Sequence, residues 1–225
     1  MLGEAIGDLL PSAVGVALSP VPIVAVILML GTPKARANGP AFALGWVVGL
    51  AVVSVVVLLV AGGADDPGSD TSDVVDVVKV LLGVLLLLVA LKQWRSRPGE
   101  GEEPQLPRWM SAIDGFTAGR SLGLGAALSG LNPKNLALAL AAAAGIAQAG
   151  MSGGGDAVAV LVFVALGSLT VAGPVVAYLV AGEKVRHPLE QAEQFMADNN
   201  AVIMAVVCLI LAAKLVGNGI AGLSD

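Results

Sequence analysis

The sequence predicts an all-α polytopic membrane protein: six transmembrane helices forming a 3+3 inverted repeat, with helices 1 and 4 broken. Three observations predict it. The 225 residues are 56% hydrophobic and 13% charged, with a mean hydropathy of +0.87, outside the range of soluble domains. Six apolar segments are each long enough to cross a bilayer, which takes about 20 residues. Two helix-breaking clusters interrupt apolar sequence, one in each half: Ala17-Leu18-Ser19-Pro20-Val21-Pro22 and Ala127-Leu128-Ser129-Gly130-Leu131-Asn132-Pro133-Lys134-Asn135.

The first segment, 5–31, follows Met1-Leu2-Gly3-Glu4 without a basic region, so it reads as a retained span and not a cleaved signal. The second runs over 39–62. The third, 74–94, follows an acidic stretch from Asp65 to Asp73, where Asp73 and Asp76 suit the positive end of a helix dipole. A Pro-, Gly- and Glu-rich connection, 95–110, is expected to be mobile. Ser111-Ala112-Ile113-Asp114 reads as a capping box starting the fourth segment, 112–148. Its roughly 37 residues would reach about 55 Å against a core of about 30 Å, so a kink or re-entrant half is expected. Gly119, Gly123, Gly125 and Gly130 would loosen that half or allow close packing. The fifth segment covers 156–181. Residues 183–200 suit a short interfacial helix starting at Pro188, with His187 solvated. The last segment, 200–219, contains the single cysteine, Cys208, a small buried hydrophobe.

Lys and Arg are unevenly placed. Lys34, Arg36, Lys92, Arg95, Arg97, Arg108, Lys184 and Arg186 follow spans one, three and five, whereas the termini and the connections 63–73 and 149–155 carry none. The positive-inside rule then puts both termini outside. Three spans per half give the halves opposite orientations, with repeats at 1–95 and 111–225 and a cytoplasmic linker at 96–110. Echoes in the same order support this: Gly15-Val16-Ala17-Leu18-Ser19 with Gly125-Ala126-Ala127-Leu128-Ser129, and Ala43-Leu44-Gly45 with Ala165-Leu166-Gly167. Gly45, Gly49 and Gly167 form small-residue faces suited to packing within one copy or between the copies of a homodimer.

Proline inside a lipid-embedded helix frees backbone carbonyls, which protein or a water-filled cavity must then satisfy. Ser19 before Pro20, and Asn132 before Pro133, place N-cap residues ahead of first-turn prolines, so each break can restart a helix within the membrane. With the halves inverted, the two restarts converge near the midplane and favour an anionic or strongly hydrogen-bonding group. Ser19, Pro20, Pro22, Ser129, Asn132, Pro133, Lys134 and Asn135 are the candidate binding residues. Lys134 is the sharpest, since an ammonium near the bilayer centre costs on the order of 3 kcal/mol. It faces an anion or titrates during transport; alternatively it bonds the freed carbonyls or snorkels. Lys79 and Lys214 are expected to snorkel, and Ser54, Ser168 and Thr170 to bond back to their own helices. No metal-ligand cluster, catalytic pair or phosphate loop is present in the sequence, so neither an enzyme nor a cofactor is expected.

Six spans, inverted repeats, broken first and fourth helices and Asn132-Pro133-Lys134 together resemble the lysine-exporter (LysE) superfamily of transporters. Within it, Leu18-Ser19-Pro20-Val21-Pro22-Ile23, Gly31-Thr32-Pro33-Lys34-Ala35-Arg36, Gly39-Pro40 and Leu131-Asn132-Pro133-Lys134-Asn135 look like the GAP family, the peptidoglycolipid or sulfolipid addressing proteins of actinobacteria. The resemblance covers essentially the whole chain. It implies a plasma (inner) membrane protein of the cell envelope that helps move a membrane glycolipid outward; the residues at the breaks add the expectation that the head is held between the broken helices. Export of a small solute such as an amino acid, and a non-transporting accessory role in a larger lipid-export machinery, are the alternatives. No nucleic-acid partner is implied.

Overall fold

The computed structural model describes residues 2–62, 71–97, 108–149 and 153–224. The acidic stretch 65–70, most of the linker 96–110 and the centre of the 149–155 connection therefore lie outside the described residues. Those residues form nine α-helices and no strand: α1 Leu2–Ala17, α2 Pro20–Leu30, α3 Ala35–Gly62, α4 Thr71–Arg95, α5 Ala118–Gly130, α6 Pro133–Gln148, α7 Gly153–Ala181, α8 Arg186–Asp198 and α9 Asn200–Gly222.

Among them, α3, α4, α7 and α9 are long and apolar enough to cross a membrane, and α1 with α2 makes a fifth candidate, bent by 53° at the break. This is the architecture of a multi-pass membrane protein. The long helices are apolar all round, so one face packs inward and the other meets lipid. Trp46, Phe42 and Phe163 are fully buried, while Leu59, Leu81, Leu161 and Val180 stand on the outer surface.

Both predicted breaks are present, between α1 and α2 and between α5 and α6. The fourth segment starts later than its sequence suggests. Arg108–Gly115 forms a 3-10 helix, and α5 begins after Thr117, whose side-chain oxygen accepts from the Arg120 N–H. Thr117 thus takes the capping role read into Ser111-Ala112-Ile113-Asp114. A further anchor was missed: the buried Asn38 on α3 donates to the Phe116 carbonyl at 3.1 Å, tying the start of α3 to the turn before α5. The short helix expected within 183–200 is α8, with Pro188 in its first turn, lying against α2. Gly182, at φ +60°, permits the turn out of α7 toward it, a conformation costly for residues with a Cβ.

The helices pair as α4 with α9, α3 with α5 and α6, and α7 with α1 and α2. At the α3–α5 crossing there is no room for side chains: a Cβ on Gly45 would enter the Leu122 backbone, and one on Gly125 the Phe42 carbonyl. Gly167 faces Val16 and Leu50. The small-residue faces therefore pack within one copy, which removes the feature that had suggested a homodimer. Gly119 and Gly123, by contrast, face open space.

The amino end of α1, the start of α4 and the far ends of α6 and α9 meet at one end of the bundle, where Asp8, Asp76, Gly145 and Asn218 line a common cavity. Gln93 near the end of α4, Asn200 at the start of α9 and both breaks line another.

Candidate functional site

Proline dictates the chemistry of both breaks. A residue in a helix normally donates its N–H to the carbonyl four residues earlier, so Pro20, Pro22 and Pro133 leave the carbonyls of Val16, Leu18 and Ser129 without that donor. Each receives a side-chain donor instead. Ser19 Oγ donates to Val16 O at 2.6 Å, Lys134 Nζ approaches Leu18 O at 3.4 Å, and Asn135 Nδ2 donates to Ser129 O at 3.3 Å. Neighbouring carbonyls are satisfied in the same way. Lys134 Nζ donates to Gly15 O at 2.7 Å, Asn135 Nδ2 to Leu128 O at 3.2 Å, and Ser129 Oγ to Ala126 O at 3.1 Å.

Two side chains behave differently from expectation. Thr170 on α7 does not bond back to its own helix; its hydroxyl donates across to Ala17 O at 2.6 Å and so secures the first break. Ser168 Oγ is buried with no hydrogen-bond partner among the described residues, whereas Ser54 does bond back, to Leu50 O at 2.7 Å. Thr170→Val keeps the shape and removes the donor, leaving Ala17 O with only the Ser19 N–H. A loss of about 1–3 kcal/mol is expected, read as a lower thermal midpoint of the detergent-solubilised protein.

The two breaks meet. Lys134 Nζ lies 2.7 Å from Ser19 Oγ, which joins the start of α6 to the start of α2. The ammonium, 4% exposed, thus has three acceptors for its three protons: Gly15 O, Leu18 O and Ser19 Oγ. Bonding of freed carbonyls, one of the readings open to this residue from sequence, is its arrangement here. Asn132 Oδ1 accepts the Lys134 backbone N–H at 3.0 Å and so caps α6, while Ser19 makes no side-chain cap to α2. Pro20 and Pro22 also lack N–H groups, so the positive end of α2 offers few free donors.

Beside this junction lies a cavity of about 430 Å³, within the range of ligand pockets. Six of the eight candidate residues line it: Ser19, Pro20, Pro22, Asn132, Pro133 and Lys134. Ser129 and Asn135 do not; both are fully buried, with their side chains bonded to carbonyls at the second break. Its remaining walls are mainly Leu85, Leu86, Val89 and Met204 from α4 and α9. Leu85, one of these walls, is 46% exposed, so this apolar side of the cavity is not covered by a further helix among the described residues.

Gln93 and Asn200 also line the cavity and were not singled out from sequence. Asn200 Oδ1 is buried without a partner among the described residues, an acceptor still to be filled. The available signal was an amide within one turn of the end of an apolar span, which is also what an ordinary helix end looks like. With Lys134 already saturated, the amides of Asn132, Gln93 and Asn200 carry most of the remaining capacity for a polar ligand.

No curated protein and no solved structure matches the chain. A family model described as Sap, sulfolipid-1-addressing protein, matches residues 9–221, a stretch containing both breaks and every residue of the site. Nearly the whole chain is covered, and the chain accordingly belongs to the sulfolipid-1-addressing protein family.

Proposed function

We propose that this protein moves an envelope glycolipid of the sulfolipid or peptidoglycolipid type across the plasma membrane, with the polar head held between the two broken helices and the tails left in lipid. The observation that carries the reading is the cavity at the junction: polar groups at the breaks, apolar walls from α4 and α9, and an exposed apolar side at Leu85. An amphiphile needs that division. A volume of about 430 Å³ suits a sugar-sized head, and the acyl chains would remain between helices. Family membership points toward a sulfolipid.

In this reading Asn132, Gln93 and Asn200 bond the head, while Lys134 and Ser19 form its charged floor. The long Lys134 to Leu18 contact, 3.4 Å, is the one an acidic substituent would replace first. The six-span, 3+3 inverted repeat is part of the proposal. Supporting it, Ser19 and Ser129 hold equivalent places in the echoed segments and make the same bond to the carbonyl three residues back. Some pairings also exchange as such a repeat would have them, with α3 on α5 and α6 matched by α7 on α1 and α2, although α1 on α6 has no such counterpart among the described residues. The end of the bundle around Asp8 and Asn218 would face outside with both termini, whose connections carry no Lys or Arg, while Lys79 and Lys214 lie just inside it.

The test is reconstitution into liposomes containing a fluorescent sulfated galactolipid, with an impermeant quencher reporting its exchange between leaflets. Faster exchange than in protein-free vesicles is expected, together with a roughly tenfold loss in Gln93→Ala at unchanged thermal midpoint, about the value of one charge-assisted hydrogen bond. Asn132→Ala should lose as much and also lower the midpoint by about 1 kcal/mol of stability, because its cap on α6 goes with it. Exchange equal to that of empty vesicles would sink the transport reading. Normal exchange in both Asn132→Ala and Gln93→Ala would sink the site.

A further inference from the structure

The second cavity, about 320 Å³, shares α4, α6 and α9 with the first, and has α1 where the first has α2, the other half of the broken first span. Each shared helix contributes to the two at successive levels. On α4 they are Asp76 and Lys79, then Leu85 to Gln93; on α6, Leu138 to Gly145 against Pro133 and Lys134; on α9, Leu211 to Gly222 against Asn200 and Met204. The first span follows the pattern, with Asp8 and Ser12 above and Ser19 below. The cavities are therefore stacked along the bundle. What separates them is thin: Lys134 and Leu138 are one turn apart, about 6 Å along α6.

The partition has identifiable residues. Gly15, whose carbonyl holds Lys134, lies so close to Leu211 and Leu138 that a Cβ there would stand 2.9 Å and 3.0 Å from their methyl groups. Both leucines line the second cavity and are buried. They close it toward the Lys134 junction with flexible side-chain ends and not with backbone.

The second cavity is also chemically distinct. Lys79 is paired with Asp76 at 2.6 Å, and Lys214 donates to the Asp8 carbonyl at 2.8 Å, so neither lysine merely snorkels. Lys214 forms no ion pair among the described residues and keeps protons to donate. Asn218 and Ser12 add neutral donors and acceptors, and the Asp8 carboxylate adds an acceptor. Two ammonium groups against two carboxylates disfavour a multiply charged anion. They suit a hydroxylated sugar carrying one acidic substituent.

We propose that this cavity is a second head-group site, the outward half of the path that begins at the helix breaks, and that Leu138 and Leu211 closing on Gly15 are the gate between the halves. The proposal rests on the transport reading for its ligand but not for its geometry.

The native Cys208 reports on the gate, since it is the chain's single cysteine, is fully buried, and lies on α9 between Met204 of the first cavity and Leu211 of the second. In sealed proteoliposomes, an impermeant methanethiosulfonate reagent should label Asn218→Cys and Asn132→Cys, each in a Cys208→Ala background, from opposite faces. Leu138→Ala with Leu211→Ala should speed labelling of Cys208 from the Asn218 face by about tenfold, because thiol reactivity follows access. Either leucine replaced singly gives the same readout should the pair fail to fold. Galactose 3-sulfate should slow labelling of Asn218→Cys, and inorganic phosphate should not.

Labelling of both cysteines from one face, or Cys208 unreactive in every folded leucine variant, would overturn the gate. Equal protection by phosphate, or none by the sulfated sugar, would overturn the head-group site. No labelling readout depends on movement of the sulfated lipid, so failed lipid exchange with two-faced labelling would count against the transport reading alone.

Discussion

Gly125→Leu is expected to prevent the chain from reaching its folded state, and even Gly125→Ala to destabilise it severely. At the α3–α5 crossing the backbones approach so closely that the first carbon of any side chain at 125 enters the Phe42 carbonyl and stands 2.9 Å from the Trp46 backbone nitrogen. Overpacking a core against side chains costs about 1–3 kcal/mol, because rotamers shift to absorb it. Backbone on both sides removes that relief, so the alanine variant is placed at the upper end of that range or above. Gly123 on the same helix supplies the control: nothing lies within 4 Å of where its Cβ would be. Gly123→Ala should be neutral or up to about 1 kcal/mol stabilising, from helix propensity. Thermal midpoints read by size-exclusion chromatography separate the two, and equal behaviour would mean the helices do not touch there.

The second large effect is expected at Lys134. Methionine has similar length and no proton to donate, so Lys134→Met isolates the hydrogen bonds from the packing. It leaves Gly15 O and Leu18 O without this donor and Ser19 Oγ without one of its two partners. Buried groups stranded in this way cost about 1–3 kcal/mol each, so a loss of several kcal/mol is expected, and lipid exchange falls with it. Ser19→Ala removes its own bond to Val16 O and one of the three Lys134 contacts, and should cost less. A Lys134→Met protein as stable as the original would show that the tie between the two breaks is dispensable, and with it the reason for the geometry of the junction.

Much of this was legible in the chain. The prolines at 20, 22 and 133 announce broken helices wherever they occur in apolar sequence, because the missing N–H is a covalent fact. The N-cap role of Asn132 followed from its place before Pro133 and is what it does. Six of eight candidate residues share one cavity for the same reason, since the residues around a break are carried to it together. Ser129 and Asn135 do not line that cavity and bond carbonyls at the break, a role the sequence could not separate from facing a ligand because both call for the same residue types. Nothing local distinguishes Gly125, which is pressed against α3, from Gly123, which faces open space two residues away. The roles of Thr170 and Asn38 were hidden too, since their partners lie 153 and 78 residues away in the chain.

Hydropathy and the placement of proline by themselves determined the membrane class, the long apolar helices α3, α4, α7 and α9, and the existence and position of both breaks, because these depend on the transfer free energies and covalent limits of individual residues. Only the tertiary structure decided that the breaks touch, that Lys134 spends its three donors on the partner break, that the glycine faces pack within one copy, and that two cavities stand in line across Leu138 and Leu211. Each of these is a relation between helices distant in sequence, and the distance between two backbones is not a property of either strand of residues alone.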